Sequence, residues 1–250
     1  NKKYETLERI RNEKYLEELD ELFNGILLND NEKRRYAEFL IYCSGLKNDL
    51  VTVSTATVTH LADEIAKKMN LNEEDRQILF YASIVHDIGM QSRTLSIIQK
   101  PSILEKHEME LVKKHVELCN EIIEDRLHEK IIQVVNAHHE RGDGSGYPVK
   151  LRGDKFSKLQ KILQIADMAG ALMNDRPYRL ALDREDIIKL LWTEADKNKL
   201  DPEIVTVFIE NYDSIYTNIL QKLIDISQIQ RKMNFQYNII NANFKNLPCK

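Results

Sequence analysis

One stretch of sequence carries most of the structural information in this chain: His138-His139-Glu140-Arg141-Gly142-Asp143-Gly144-Ser145-Gly146-Tyr147-Pro148. The adjacent histidines are predicted to close a helix, and imidazole is the commonest metal ligand among protein side chains. Three of the chain's eight glycines follow within five residues, and glycine permits the φ angles of a tight loop. The stretch therefore predicts a helix that delivers nitrogen ligands and then turns sharply, with backbone N–H groups and an aromatic ring beside a pocket for an anionic substrate.

The composition predicts an almost entirely helical fold. Glycine and proline are scarce, leucine, isoleucine, glutamate and lysine are abundant, and strand-type alternation is hard to find. At 250 residues the chain can bury one core and carry a helical extension. We predict an extension over residues 1–48 with helices at about 3–23 and 31–42, a main domain over 49–234, and a loosely ordered tail over 235–250. Within the main domain, helices are predicted at about 49–70, 105–125 and 202–233 among others. Three helix starts carry capping signals, namely Asn72, the capping box Ser157-x-x-Gln160, and Asp201-Pro202.

Charge and cysteine content exclude several classes of protein. The net charge is -4 and no lysine- or arginine-rich block stands out, which argues against binding to duplex nucleic acid. Cys43, Cys119 and Cys249 form no CxxC pair, so neither a disulfide framework nor a zinc knuckle is predicted, and a cytoplasmic location is expected. The longest uncharged run, at about residues 50–62, is too short and too rich in threonine to span a membrane.

Two further segments offer metal ligands. His86 and Asp87 follow an apolar helix predicted from about residue 73 to 85, and a carboxylate at that position has two oxygens with which to bridge two cations. Asp167 lies within the apolar run Ile165-Ala166-Asp167-Met168-Ala169. Burying a lone carboxylate is very costly, so Asp167 needs a partner, and a metal ion is the natural one.

In this order, the motifs resemble those of the HD-GYP family, bacterial metal-dependent phosphodiesterases of cyclic di-GMP within the HD hydrolases. The resemblance spans about residues 50 to 210. It rests on His86-Asp87-Ile88-Gly89, the stretch from His138 to Pro148, Asp167, and Arg176-Pro177-Tyr178-Arg179. It implies an all-α HD-domain helical bundle.

The resemblance also implies two divalent cations that share the Asp87 carboxylate. The first would be held by His86, Asp87 and Asp167. The second would be held by Asp87, His115, His138 and His139, with His115 taken from Lys113-Lys114-His115 at the family's Lys-x-His position. Imidazoles and carboxylates without a thiolate suit iron or manganese better than structural zinc. A hydroxide bridging the two cations would attack phosphorus, and Asp87 is the predicted catalytic residue.

The substrate implied by the resemblance is cyclic di-GMP, opened to linear pGpG, and the sequence leaves open whether the final product is pGpG or GMP. Gly146 and Tyr147 would border its pocket. Arg176 and Arg179 are predicted to contact it, because arginine forks suit phosphate oxygens and the O6/N7 edge of guanine. Glu140 and Asp143 are predicted to hold the loop.

The chain departs from the family pattern at Ser54, where a ligand histidine is usual, and at Met90, where a lysine near the substrate is usual. His60 does not replace the missing histidine. On the helix predicted over about 49–70, the inward stripe consists of Ser54, Val58, Leu61, Ile65 and Met69. His60 lies nearly opposite that stripe, so we predict that it faces solvent. Leu50 stands where some members carry a glutamate associated with a third metal, so at most two cations are expected.

Two alternatives to a working phosphodiesterase stay open. Ser54 and Met90 motivate a degenerate module that binds cyclic di-GMP or a signalling protein without hydrolysis. The second alternative is an HD hydrolase that acts on another nucleotide. The N-terminal helices are predicted either to pack or form a homodimer, or to be part of a sensory input domain.

Overall fold

The first of two units in this chain contributes one described helix. The computed structural model describes residue 29 and residues 32–38, 49–91, 95–175 and 177–245, and the chain divides into the units Asn1–Leu40 and Ile41–Lys250. Residues 32–38 form helix α1. It begins with a reciprocal cap, because the Glu32 N–H donates to Asn29 Oδ1 (3.1 Å) and the Asn29 N–H donates to Glu32 Oε2 (2.9 Å). The helix predicted at residues 3–23 lies outside the described residues.

The regular secondary structure in the described ranges of the second unit is helical. Its helices are α2 (Asp49–Lys68), α3 (Glu73–Val85), α4 (Leu95–Ile98), α5 (Lys106–Lys113), α6 (His115–Ile123), α7 (Glu129–Val135), α8 (Lys158–Met173), α9 (Arg184–Asp196), α10 (Pro202–Glu210) and α11 (Tyr212–Lys245). Short 3-10 turns follow α3 and precede α8, at Ile88–Gln91 and Gly153–Lys155. The described residues contain no strand, and one antiparallel bridge joins Asp143 to Arg152. The all-α prediction is confirmed.

Helix α2 lies at the centre of this unit and packs against α8, α3 and α11. Its Val58, Leu61 and Ile65 are fully buried, as are Ile165 of α8 and Phe208 of α10. Each fully buried side chain of this size stabilises the fold by roughly 1.5–3 kcal/mol. Because α8 crosses α2 at its centre, Asp167 is placed on the same side of the bundle as the end of α3.

Capping residues define where the helices begin. The Asn72 side chain accepts a hydrogen bond from the Asp75 N–H (2.8 Å) at the start of α3. Ser157 and Gln160 form the predicted capping box at the start of α8. Asp201 caps α10, and Pro202 occupies its first turn. The structure confirms the helix starts that these capping residues predict.

Several helix boundaries differ from the sequence-based expectation. The helix predicted over about 105–125 is interrupted at Lys114, which ends α5 and precedes α6. The long helix predicted over 202–233 is interrupted at Asn211, whose side chain donates to the Val207 carbonyl (2.9 Å). Helix α11 then continues to Lys245, so most of the segment predicted as a loose tail is helical. Helices long and apolar enough to cross a membrane are absent from the described residues.

Candidate metal centre

Four separate segments bring the six predicted ligands together. His86 and Asp87 directly follow α3, and His115 is the first residue of α6. His138 and His139 lie in the turn after α7, which ends at Val135, four residues earlier than predicted. In that turn the N–H groups of Ala137 and His138 bond to carbonyls three residues back. This tighter winding lets two adjacent imidazoles reach one site.

The Asp87 carboxylate lies at the middle of this group. Its Oδ2 is 3.3 Å from His86 Nε2, and its Oδ1 is 3.4 Å from His115 Nε2 and 3.9 Å from His138 Nε2. One ligand atom from each of Asp87, His115, His138 and His139 lies within 4.8 Å of the others. This is the set that the family resemblance gives to the second cation.

Asp167 links the two halves of the cluster from α8. Its Oδ1 is 3.8 Å from His86 Nε2, and its Oδ2 is 3.4 Å from His139 Nδ1. The geometry therefore places Asp87 and Asp167 on either side of His86. That arrangement is compatible with the set His86, Asp87 and Asp167 expected for the first cation.

Backbone carbonyls fix the orientation of three imidazoles. The Nδ1 atoms of His86, His115 and His138 lie 2.6, 2.7 and 2.5 Å from the carbonyl oxygens of Ser83, Val112 and Val135, each three residues upstream. A carbonyl oxygen can only accept, so each Nδ1 carries a hydrogen and each Nε2 faces the site. A hydrogen bond of this kind is the usual support of a metal-ligating histidine.

The cluster contains polar atoms that the protein leaves without hydrogen bonds. His86 Nε2 and Asp87 Oδ1 are buried, and neither has a hydrogen-bond partner among the described residues. A buried carboxylate oxygen without a partner is strongly destabilising. A divalent cation would satisfy both atoms, and this donor set of imidazole and carboxylate suits one. The residues present therefore fit a metal centre.

The electrostatics favour the metal-binding protonation states of Asp87, His138 and His139, but not that of His86. Burial opposes ionisation of Asp87, but His86, His115 and His138 outweigh it and hold the pKa of Asp87 well below its usual value. Burial and neighbouring imidazoles lower the pKa values of His138 and His139 well below the ordinary value. Burial also disfavours the protonated form of His86, but Asp87 raises its pKa to about 9. Metal binding would therefore displace a proton from His86.

The loop after the histidines is held by Glu140. This side chain is fully buried, and its carboxylate accepts the backbone N–H groups of Val149 (2.6 Å), Lys150 (2.9 Å) and Leu151 (2.9 Å). Gly146 lies against the same residue, and a Cβ there would meet the Glu140 Cα at 2.4 Å. Asp143 Oδ1 accepts the Ser145 N–H (2.9 Å). These bonds are consistent with loop-holding roles for Glu140 and Asp143.

Tyr147 lies beside the histidines, as the sequence suggests. Its ring centroid is 4.8 Å from that of His139, with an interplanar angle of 33°. Burial, together with the negative charges of Asp167 and Asp87, raises the pKa of Tyr147. The phenol is therefore neutral at ordinary pH and keeps an O–H that can donate to a phosphate.

A cavity of about 250 Å³ opens over Asp87, His139 and Asp167. Ser54 and Met90, the two departures from the family pattern, both line it. Most of the remaining wall is apolar: Ile98, Leu104, Met109, Val112, Tyr147, Ala171, Pro177 and Tyr178. Both substitutions therefore lie where a substrate at the cluster would meet them.

His60 lies away from the cluster, in agreement with its helical phase, but it does not face solvent. It is half-buried, and burial together with Lys222 of α11 lowers its pKa to about 4. The prediction of a solvent-facing histidine was wrong, because helical phase on α2 could not show that α11 covers the outer side of the helix.

The two predicted arginine contacts have different outcomes. The Arg179 guanidinium donates to the carbonyls of Ala171 (2.8 Å), Leu180 (2.6 Å) and Leu172 (3.5 Å). Ala171 and Leu172 belong to the last turn of α8, whose carbonyls have no partner within the helix. Arg179 lines none of the cavities described here, so its predicted substrate contact is not part of this geometry. Arg176 lies outside the described residues.

Sequence reasoning missed the role of Cys119. Its thiol accepts the Gly89 N–H (3.1 Å) and donates to the His86 carbonyl (3.0 Å). Gly89 allows this contact, since a Cβ there would meet the His115 carbonyl oxygen at 2.3 Å. Cys119 therefore fastens the His86-Asp87 turn to α6. Its position one helical turn after His115 was the available signal.

Comparison with known proteins agrees with the sequence resemblance. The profile of the HD domain family matches residues 43–204. A 3'3'-cGAMP-specific phosphodiesterase (number 1) of Vibrio cholerae is 29% identical over 64% of this chain and 37% of its own length. A cyclic di-GMP phosphodiesterase of Thermotoga maritima is 32% identical over 62% of this chain and 43% of its own length. The cyclic di-GMP phosphodiesterase response regulator RpfG of Xanthomonas campestris is 30% identical over 61% and 41%. The chain thus spans about two fifths of these relatives.

Solved structures show the same fold at lower identity. An HDG"Y"P protein of Bdellovibrio bacteriovorus superposes with a TM-score of 0.55 at 19% identity, covering 64% of this chain and 51% of that one. The V-cGAP3 cyclic GMP-AMP phosphodiesterase of Vibrio cholerae gives 0.52 at 15% identity, covering 71% and 48%. These two likenesses concern the fold alone.

Proposed function

Because the chain belongs to the HD domain family, we propose that it is a metal-dependent phosphodiesterase that hydrolyses a cyclic dinucleotide, with cyclic di-GMP as the favoured substrate. The observation that carries the proposal is the convergence of Asp87, His115, His138 and His139, whose ligand atoms lie within 4.8 Å of one another. The buried atoms without partners, His86 Nε2 and Asp87 Oδ1, lie in the same cluster.

Most of these residues would bind metal, and Tyr147 would contact the substrate. We assign His86, Asp87 and Asp167 to one divalent cation and Asp87, His115, His138 and His139 to a second, with iron or manganese favoured by the donor set. Bound cations of this kind activate water and stabilise negative charge at phosphorus. The carbonyl bonds of His86, His115 and His138 hold the rings in place, and Tyr147 offers a neutral phenol at the edge of the cavity.

The names of the relatives support this substrate class. Several are called cyclic di-GMP phosphodiesterases and others 3'3'-cGAMP-specific phosphodiesterases. Hydrolysis of cyclic di-GMP would open the ring to pGpG, and a second cut would give GMP. The cytoplasmic location and the homodimer through the helical extensions remain predictions.

A receptor without hydrolysis is the second candidate. Ser54 and Met90 both line the cavity at the cluster. The first would leave one cation with fewer ligands, and the second removes a positive charge from the place of a phosphate. Tight retention of cyclic di-GMP without product would favour this candidate.

The test is anaerobic incubation of the protein, loaded with Fe(II) or Mn(II), with cyclic di-GMP, followed by chromatography for pGpG and GMP. Asp87→Ala removes the carboxylate at the centre of the cluster. Asp225→Ala, at an exposed position of α11, is the matched control. The proposal expects product from the wild type and the control and none from Asp87→Ala. Equal product from all three proteins would refute it.

A further inference from the structure

A second cavity adjoins the one over the metal ligands. It has a volume of about 710 Å³, against about 250 Å³ for the first. His139 and Tyr147 line both cavities. The Tyr147 ring therefore forms a shared wall, with the cluster on one side and the second cavity on the other.

The second cavity is basic. The cations that line it are Lys113, Lys114, Arg141, Lys150 and Lys199, and the carboxylates are Glu110, Glu117 and Glu194. Ion pairs neutralise part of this charge, because Lys113 lies 2.7 Å from Glu110 and Lys199 lies 2.9 Å from Glu194. The remaining cations outnumber the remaining carboxylate, so the cavity attracts anions.

Lys114 and Lys150 are the cations best placed for a ligand. Neither forms an ion pair within the described part of the chain, although Lys150 is the last of three lysines, after Lys113 and Lys106, that lower the pKa of Glu110. Both side chains are exposed. Lys114 immediately precedes His115, and Lys150 comes after the loop that follows His139. The backbone at Lys150 is fixed, since its N–H donates to the buried Glu140 carboxylate at 2.9 Å. The Arg141 guanidinium, by contrast, is engaged by the carbonyls of Glu140 and His138.

The first cavity is small for a whole cyclic dinucleotide. Ligand sites of drug size usually occupy roughly 300–1,000 Å³, and the metal-facing cavity has about 250 Å³. A cyclic dinucleotide carries two phosphodiesters. When one lies at the cluster, the other still carries a negative charge, and the described lining of the first cavity includes no lysine or arginine.

We propose that Lys114 and Lys150 bind the second phosphodiester of a cyclic dinucleotide whose first phosphodiester lies at the metal ligands. The inference rests on the proposed function and deepens it. The two lysines supply, from the other side of Tyr147, the positive charge that Met90 does not supply in the first cavity. The ligand class is a cyclic dinucleotide with two anionic bridges. A substrate whose single phosphate lies at the metal ligands has no second anion for the pair to bind.

The test compares a substrate with two phosphodiesters with one that has a single phosphodiester. The metal-loaded wild type and Lys114→Gln/Lys150→Gln are assayed on cyclic di-GMP and on bis(p-nitrophenyl) phosphate. We expect kcat/KM for cyclic di-GMP to fall about tenfold relative to kcat/KM for bis(p-nitrophenyl) phosphate, since charged hydrogen bonds are lost. Lys130→Gln/Lys189→Gln removes two lysines that line neither cavity and should leave that ratio unchanged.

Calorimetric titration with cyclic di-GMP completes the experiment. An unchanged ratio in the Lys114/Lys150 variant would overturn the inference, and so would a proportional fall on both substrates, because the lysines would then act through the metal centre. If the wild type binds cyclic di-GMP without hydrolysing it, the proposed activity fails, and about tenfold weaker binding by the variant would still support the lysine site. If the wild type neither hydrolyses nor binds cyclic di-GMP, the proposed function and the lysine site are both refuted.

Discussion

The Nε2 atoms of His115 and His138 lie 3.1 Å apart, although each ring has its Nδ1–H directed at a backbone carbonyl. In the neutral rings both Nε2 atoms carry lone pairs, so two lone pairs face each other in a buried site. A proton between them is disfavoured, because burial and neighbouring imidazoles lower the pKa of His138. A divalent cation bound by both Nε2 atoms would remove this repulsion between lone pairs.

His138→Gln should therefore impair metal binding. The amide keeps polarity but lacks the imidazole nitrogen, and we expect turnover to fall at least about a hundredfold, beyond the loss typical of outer-shell changes. Metal content, measured by atomic spectroscopy after dialysis, should fall in parallel. His107→Gln changes an exposed histidine on α5 and serves as the control. Full metal content in His138→Gln would contradict the ligand assignment.

Removing the metal should destabilise the domain. A ligand that binds only the folded state adds to the free energy of unfolding, and the cluster leaves His86 Nε2 and Asp87 Oδ1 buried without partners. We expect a chelator to lower the Tm by several degrees, corresponding to about 2 kcal/mol or more. Differential scanning calorimetry with and without Mn(II) checks this. An unchanged Tm would show that the cluster binds no metal under those conditions.

Glu140→Gln should destabilise the loop. The carboxylate accepts three backbone N–H groups, and an amide presents an NH₂ group to at least one of them. A buried donor left without an acceptor costs on the order of 1–3 kcal/mol. Urea unfolding measures this loss. Asp143→Asn, which changes the more exposed carboxylate of the same loop, should cost less. Equal losses would mean that Glu140 has no special part in holding the loop.

Ser54→His should strengthen metal binding. Ser54 lines the cavity together with Asp87 and Asp167, so an imidazole there would add a nitrogen donor beside the first cation. We expect about tenfold tighter binding of the weaker metal, measured by competition with a fluorescent chelator. Ser102→His adds a histidine at an exposed position and controls for adventitious binding. No gain over that control would mean that the Ser54 position does not reach the metal.

His60 should make stability depend on pH. Burial, then Lys222, lowers its pKa to about 4 in the folded chain, from 6.5 in the unfolded chain. Between pH 6.5 and pH 4, His60 is protonated in the unfolded chain but neutral in the folded chain. The free energy of unfolding therefore falls as the pH drops from about 6.5 to about 4, by about 3 kcal/mol.

The measurement is urea unfolding across that range, with chelator present in every sample so that metal release does not contribute. In His60→Gln the free energy of unfolding should decrease less over this pH range, because the part of the decrease that protonation of His60 causes is absent. Lys222, Lys67, Asp63 and Glu64 act electrostatically on His60 and stay unchanged in that variant. Parallel pH profiles for the two proteins would rule out the assignment.

Local signals in the sequence predicted much of the fold and the inward side of the site. Composition predicted the helices, and the side chains of Asn72, Ser157 and Asp201 predicted where three of them begin. The phase of α2 placed Ser54 toward the cluster, where the structure has it lining the cavity. Adjacent histidines before a glycine-rich loop predicted a helix end, since two neighbours cannot share a site within a regular helix.

Contacts between distant segments were not predictable in this way. Burial of His60 depends on Lys222 and α11, far along the chain. The three carbonyls that engage Arg179 depend on how the chain returns to α8. The pairing of Lys114 with Lys150 around one cavity depends on the loop that Glu140 holds. Each needs a tertiary arrangement that neither helical periodicity nor capping encodes.

The most direct test of the central claim is a metal titration of activity. The protein is stripped with a chelator and then reloaded anaerobically with Mn(II) in measured steps, and pGpG formed from cyclic di-GMP is quantified at each step. The two-cation assignment predicts no product from the stripped protein and a rise that levels off near two equivalents of metal. Product from the metal-free protein, or none at any loading, would contradict it.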